Sequence, residues 1–139
     1  MKTLFKISFV LLLLVVLTTS CKKKGCTDPL ADNYDTSAQK DDYSCTYTHD
    51  YMYEVTGTAN DYDITLEAAP SGTEQYANYA SGFQYKWTQP GEGTRFLYVS
   101  AQNNTASGTV TVKIIRDGVV LAENTSTGGY VIATASGDY

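Results

Sequence analysis

Residues 52 to 139 predict an all-β fold, and three observations carry that expectation. Short runs rich in Val, Ile, Thr and Tyr follow one another between turn residues, and helical periodicity is hard to find. Apolar residues alternate with polar ones in Ile64/Leu66/Ala68, Tyr85/Trp87 and Val110/Val112/Ile114, the period-two pattern of a half-buried strand. Asp117-Gly118 sits between Ile114-Ile115-Arg116 and Val119-Val120-Leu121. An Asp-Gly pair between apolar runs is a strong hairpin signal, because a type I′ turn needs positive φ at both central positions.

Strands are expected, in order, near Met52–Thr56, Ile64–Ala68, Phe83–Thr88, Arg95–Ala101, Thr109–Arg116, Val119–Glu123 and Tyr130–Thr134. Turns between them are marked by Asn60-Asp61, Ser71-Gly72, Pro90-Gly91, Asn103-Asn104 and Gly128-Gly129. About seven short strands in a segment of this length fit a small antiparallel β-sandwich of the immunoglobulin-like kind.

The N-terminus has another character. Lys2 and Lys6 precede an apolar run from Phe9 to Leu17, followed by Thr18-Thr19-Ser20 and then Cys21. A basic region, a short apolar core and small polar residues form a secretory signal. The run is too short for a membrane-spanning helix, which needs about 20 apolar residues. With cysteine at the cleavage point the segment resembles a bacterial lipoprotein signal. Leu17 lies one position earlier than a strict lipobox places it, and Thr18 fills the slot. The resemblance implies that residues 1 to 20 are a leader, that Cys21 carries lipid, and that the rest lies in the cell envelope, at the outer membrane. Bacterial lipoproteins carry at least two acyl chains on this cysteine, enough for durable anchoring. Ordinary cleavage that leaves a thiol at Cys21 is the alternative.

Three cysteines then divide simply. With Cys21 lipidated, Cys26 and Cys45 remain as a pair, and an oxidising compartment favours their disulfide. Closing this loop is worth roughly 3 kcal/mol in the chain-entropy description. Residues 21 to 50 thus form an anchor, a tether and a crosslinked acidic loop, with the sandwich at 51 to 139. The loop is similar to a cysteine-bounded motif of secreted and surface proteins of Bacteroidota-type bacteria. The matching residues are Cys26-Thr27-Asp28-Pro29, Ala31, Asn33-Tyr34-Asp35, Ala38, Asp41-Asp42 and Ser44-Cys45. Tyr43 stands where the motif usually has glycine.

Two readings of the loop's aspartates stand side by side. Asp28, Asp35, Asp41 and Asp42 are hard oxygen ligands of the type calcium takes, and loop closure could gather them. The EF-hand spacing is absent, and Asp is equally an ordinary turn residue, which gives a metal-free disulfide loop. Lys22, Lys23 and Lys24 also have two readings, contact with anionic headgroups or a solvated tether. Removing Lys2 and Lys6 with the leader leaves 8 basic against 15 acidic residues, a net charge of -7. That balance argues against nucleic acid as a partner, because phosphate binding needs the opposite sign.

Catalytic signatures are missing from the sequence. His49 is the single histidine, placed at the junction of the two segments, where a solvated linker residue is expected. There is no Gly-x-Ser-x-Gly elbow. One histidine anchors no zinc site. Glu54, Glu67, Glu74 and Glu92 show no spacing that singles out a pair. Tyr76, Tyr79 and Tyr85 cluster before Trp87 among twelve tyrosines. Such rings combine apolar area with a polar tip, so Tyr76 and Tyr79 with Arg95 form a candidate binding face for sugars, lipids or proteins. Ordinary strand packing is the other reading.

The second segment resembles the mycobacterial small membrane protein family, MmpS. The pieces are Tyr53-Glu54-Val55-Thr56-Gly57-Thr58-Ala59, Ile64-Thr65, Trp87-Thr88, and Gly108-Thr109-Val110-Thr111-Val112-Lys113-Ile114 leading into Asp117-Gly118-Val119-Val120. Glu123-Asn124, Ser126 and Gly129-Tyr130 follow. The family has cysteines near Val112 and Thr134, which this chain lacks, and its mycobacterial members have a transmembrane helix instead of a lipid anchor. The resemblance implies an accessory role beside envelope exporters. The expected function is therefore a non-enzymatic, lipid-anchored binding or accessory protein of an envelope transport complex. A calcium-stabilised surface or adhesion module is the alternative.

Overall fold

The computed structural model describes residues 22–68, 71–91 and 94–139; Cys21 and the leader lie outside them. The chain divides into two compact units, Met1–Cys45 and Thr46–Tyr139. In the first, β1 (Lys24–Gly25) pairs in parallel with β2 (Lys40–Asp41). Cys26 and Cys45 form the expected disulfide, with their Cα atoms 4.8 Å apart. Among the described residues of this unit, the buried apolar side chains are Cys26 and Ala31. A segment with so little core depends on its crosslink and on local hydrogen bonds. Those bonds are supplied by the aspartates. Each of Asp28, Asp35, Asp41 and Asp42 accepts from the backbone N–H two residues on, at 2.9 to 3.1 Å. Tyr43 has φ 62°, in the left-handed region. A non-glycine residue there costs about 1 kcal/mol.

The second unit is an all-β sandwich of two antiparallel sheets, with eight strands among the described residues where about seven are expected. They are β3 (Thr48–Thr56), β4 (Tyr62–Ala68), β5 (Gly72–Tyr79), β6 (Phe83–Pro90), β7 (Phe96–Asn103), β8 (Thr109–Arg116), β9 (Val119–Thr127) and β10 (Ile132–Asp138). One sheet has the order β6–β3–β8–β9 and the other β10–β7–β4–β5. Alternation decides which side chains face inward. Tyr51, Tyr53 and Val55 of β3 and Val110, Val112 and Ile114 of β8 are buried from one sheet. Tyr62, Ile64, Leu66 and Ala68 of β4 and Leu97, Val99 and Ala101 of β7 are buried from the other. Asp117 and Gly118 have φ of 51° and 78°, as a type I′ hairpin requires.

The strand that the sequence does not announce is β5. Its residues, Gly-Thr-Glu-Gln-Tyr-Ala-Asn-Tyr, include no branched aliphatic, because an edge strand buries little. At the last strand the boundary moves from Tyr130 to Ile132. Tyr130 is left-handed (φ 60°) and its N–H donates to Thr105 O, so it belongs to the turn.

Side-chain size makes the two edges of the sandwich unlike. At the β9–β10 edge the interior side chains of β10 are Ala133 and Ala135. The sheets come close enough there for Asn124 Nδ2 to donate to Thr134 O (2.9 Å) and Ser126 Oγ to Ile132 O (2.7 Å). At the β5–β6 edge the corresponding side chains are Tyr76, Phe83, Tyr85 and Trp87. Large rings hold that edge apart.

Asn103 joins the turns at one end. It is fully buried, and both halves of its amide are used. Nδ2 donates to Ser107 O (3.1 Å) and Gly128 O (2.7 Å). Oδ1 accepts from Thr105 N (2.8 Å) and Thr105 Oγ1 (2.7 Å). Gly57 marks a second constraint. A Cβ there would lie 2.1 Å from Thr109 O, so only glycine allows β3 to leave its sheet so close to β8. Replacing Asn103 by Ala removes the partners of the Gly128 carbonyl and the Thr105 N–H, while Ser107 O keeps the Thr105 hydroxyl, and it leaves a void at a fully buried position. The expected cost is about 2–4 kcal/mol in denaturant unfolding, whereas a surface change such as Thr125→Ala is expected to cost about 0.5 kcal/mol or less.

Candidate functional site

Tyr76 and Tyr79 are three residues apart, a spacing that in a regular strand sends side chains to opposite faces. The β4–β5 ladder breaks this rule. Tyr62 pairs with Tyr79 and Ile64 with Tyr76, so β5 carries an extra residue opposite Asp63. The bulge closes through Asn78, which is left-handed (φ 58°) and donates its N–H to Asp63 Oδ1 (3.1 Å). Asn tolerates this conformation better than most side chains. The result turns Tyr79 back toward Tyr76, with ring centroids 5.6 Å apart and planes at 89°. Phe83, the first residue of β6, completes the group at 5.1 Å from both rings. Bulges that re-aim a side chain are over-represented beside functional sites.

The three rings border a groove of about 520 Å³ at the open β5–β6 edge, lined also by Ala80, Ser81, Gly82, Gln84 and Tyr85. The 80–82 turn is held from below. Ser81 Oγ accepts from Gly57 N and donates to Gly57 O, both at 3.1 Å, and Gly82 N donates to Val55 O at 3.0 Å. Gln84 is fixed through Nε2 to Glu54 Oε1 (3.1 Å). Tyr79 remains 41 % exposed and Phe83 only 9 %, so Tyr79 is the ring a ligand would meet and Phe83 its support.

Electrostatics mark Tyr76. Its hydroxyl donates a short hydrogen bond to Glu74 Oε2. That bond to the carboxylate, with burial second, pushes the Tyr76 hydroxyl up to about 12. Further inside, Tyr53 stacks on Tyr85 (6.3 Å) and lies tilted against Trp87 (4.8 Å), and Tyr51 stacks on Trp87 (5.2 Å). Tyr53 Oη accepts from Tyr98 N (3.2 Å) across the sandwich. Burial pushes the Tyr53 hydroxyl up to about 12 as well. Trp87 Nε1 is buried, without a hydrogen-bond partner among the described residues.

Arg95 does not join Tyr76 and Tyr79 in the groove lining. Its guanidinium donates to Gln89 Oε1, and its backbone makes a reciprocal pair with Tyr139 at 3.1 and 3.0 Å. Sequence reasoning places Phe83 at the start of a strand but not in this cluster, and it singles out neither Asn78 nor Asp63. The Asn78 position, a left-handed-tolerant residue between two tyrosines, is the signal that could have located the bulge.

The other candidates fall elsewhere. The carboxylates of Asp28, Asp35, Asp41 and Asp42 cap their own turns, and Asp35 also pairs with Lys23 Nζ at 2.7 Å. Among the described residues, no three His, Cys, Asp or Glu side chains gather in an arrangement fit for a metal. His49 is not a solvated linker residue. It lies within β3, and its Nδ1 is 2.7 Å from Asp117 Oδ2. Asp117 Oδ1 accepts from Asp50 N (2.9 Å), and that bond, with His49 second, holds the Asp117 carboxyl below the usual range. Of the glutamates, Glu54 meets Lys113 (3.6 Å) and Glu67 meets Thr73 (3.3 Å); Glu92 lies outside the described residues. A second depression, of about 550 Å³, lies over Met52, Lys86 and Ile115 near the Asp117-Gly118 turn. No helix among the described residues is long and apolar enough to cross a membrane.

No protein-family model matches the chain, and no curated protein does.

The Tyr76–Glu74 contact has a measurable signature. Folding raises the tyrosine above its ordinary value near 10, so it favours the neutral form. The stability this contributes is complete below about pH 10 and is lost as pH rises through about 12. In an alkaline titration followed by tyrosinate absorbance, Tyr76 is expected among the last tyrosines to ionise. Glu74→Gln is expected to return it toward 10, and an unchanged titration would count against the contact.

Proposed function

We propose that the chain is a non-enzymatic, lipid-anchored envelope protein, a binding or accessory subunit that presents the β5–β6 edge of its sandwich to a ligand. The observation that carries this reading is the β4–β5 bulge, which turns Tyr79 onto the side of Tyr76 and Phe83 at an open edge. A chain that needed only a closed sandwich could end both edges as β9 and β10 do, with alanines inside and polar side chains capping the strand. Instead one edge carries a cluster of rings around a groove of the size used for small ligands, roughly 300–1,000 Å³.

The non-enzymatic part rests on how the titratable groups are employed. Glu54, Glu67 and Glu74 each have a separate partner, and His49 is committed to Asp117. None is paired with a nucleophile in the manner of a triad. The anchor comes from the lipoprotein-like signal ending at Cys21, with the disulfide loop between lipid and sandwich. The MmpS-like resemblance adds an envelope exporter as the class of complex this subunit would serve.

A photo-crosslinking residue in place of Ala80, in the full-length protein in its native envelope, tests the reading. Ala80 lines the groove, whereas Thr125 stands in β9, outside it. Position 80 is expected to capture a specific envelope component, with capture lost on Tyr79→Ala and strongly reduced on Cys21→Ala. Equal labelling from positions 80 and 125 would remove the groove from the account.

A further inference from the structure

We infer that the open edge takes an extended polypeptide segment, which adds as a strand to β6 and sets an acidic residue of its own opposite Lys86. The inference rests on the β5–β6 edge being the binding site proposed above and names the class of ligand.

Backbone direction is the first observation. Gly91 N donates to Tyr47 O in line with the β3–β6 register, which fixes the alternation along the strand. Phe83, Tyr85, Trp87 and Gln89 turn their N–H and C=O groups toward β3. Gln84, Lys86 and Thr88 turn theirs away, to the side on which β6 has no neighbour in its sheet. The row is unbroken from Phe83 to Gln89 and ends at Pro90. Such a row is what an added strand pairs with. On β5 the unbroken row is the shorter Gly72–Tyr76, before the bulge.

The opposite edge shows how this sandwich closes a row that it does not use. There the reciprocal pair of Arg95 with Tyr139 fixes the alternation, so Ile132 and Thr134 turn their carbonyls away from β7. Ser126 and Asn124 of β9 donate to those two carbonyls. Among the described residues, no side chain does the same for the outward backbone groups of Gln84, Lys86 and Thr88.

Side chains select the occupant. In an added strand, residues paired with Phe83, Tyr85 and Trp87 turn inward, toward the groove that Tyr76, Tyr79 and Tyr85 border. Those positions call for apolar residues, since Tyr85 and Trp87 pack on the core. Residues paired with Gln84, Lys86 and Thr88 turn to the outer face. Gln84 is held by Glu54, whereas Lys86 is exposed and meets no carboxylate among the described residues. An opposite charge across from Lys86 stabilises the pairing, and a like charge opposes it. A lysine on an edge also deters a second copy, because symmetric pairing centred there sets Lys86 against its own counterpart. The occupant is therefore a partner's segment that alternates apolar and polar residues, with an acid facing Lys86.

The probe is the synthetic peptide Thr-Val-Thr-Val-Glu-Val-Thr-Val, titrated into the purified mature chain. One control has Lys in place of Glu, and another is N-methylated at every second amide. Binding is read by isothermal titration and by NMR hydrogen exchange of single amides. The Glu peptide is expected to bind and to slow exchange at Gln84, Lys86 and Thr88, with little change at Tyr85 and Trp87, which already face β3. The N-methylated peptide is expected not to bind. Thr88→Pro removes one outward N–H from an edge strand and is expected to weaken binding about tenfold or more. Lys86→Glu is expected to reverse the preference toward the Lys peptide. Circular dichroism of both variants separates lost binding from lost folding. No binding of the Glu peptide, or binding that survives Thr88→Pro or N-methylation, overturns strand addition. The groove reading then stands if crosslinking from position 80 remains dependent on Tyr79, and falls if it does not. A dimer of the chain that forms without peptide and is lost on Thr88→Pro would give the edge to a second copy and also overturn the inference.

Discussion

The gradient of side-chain size across the sandwich interior is the constraint on which the site depends. Two antiparallel sheets, each apolar on one face, must pack against each other, and the central strands do so with fully buried Val, Ile, Leu and Tyr. From there the interior tapers one way and widens the other. Toward β9 and β10 it narrows to Ala133 and Ala135, and side chains of one sheet reach the backbone of the other. Toward β5 and β6 it fills with Tyr76, Phe83, Tyr85 and Trp87. Rings of that volume cannot be accommodated at the spacing the alanines permit, because interiors are close-packed. The open edge follows from composition, and the bulge then decides which rings stand at its rim.

Polar groups inside this taper are placed where the sheets need tying. Tyr53 takes the N–H of Tyr98 in the opposite sheet, and Tyr62 donates to Thr109 O. Asn103 satisfies two turns at once. Each bond is modest in net terms, but leaving its partner buried and unmet would cost more than the bond contributes. These residues make the end turns rigid and leave the β5–β6 edge as the part of the sandwich where aromatic surface meets solvent.

Legibility in the sequence tracked how strongly each residue's neighbours fix it. Strands β4 and β8 could be read directly, since Ile64/Leu66/Ala68 and Val110/Val112/Ile114 alternate under full burial. Asp117-Gly118 gave the hairpin because the turn chemistry is local. The pairing of Cys26 with Cys45 followed from the assignment of Cys21. Strand β5 was hidden, since an edge strand with one ring-bearing face has no aliphatic rhythm. Tyr76 and Tyr79 stood out by residue type, yet their three-residue spacing implied opposite faces, and only the register shift at Asp63 reverses that. The role of His49 is not legible locally, because its partner, Asp117, lies 68 residues away. Residue type alone associates Arg95 with the tyrosines, and the fold assigns it to Gln89 and Tyr139.

The placement of Tyr79 is the claim on which the site stands or falls, and proton–proton distances in solution measure it directly. Nuclear Overhauser contacts between the rings of Tyr79 and Phe83, and between Tyr79 and Tyr76, are what centroid separations of 5.1 and 5.6 Å require. Their presence would establish that the bulge gathers the cluster. Contacts from Tyr79 to the side chains of Asp61 and Asp63, with none to Phe83, would mean a regular strand and no site at this edge.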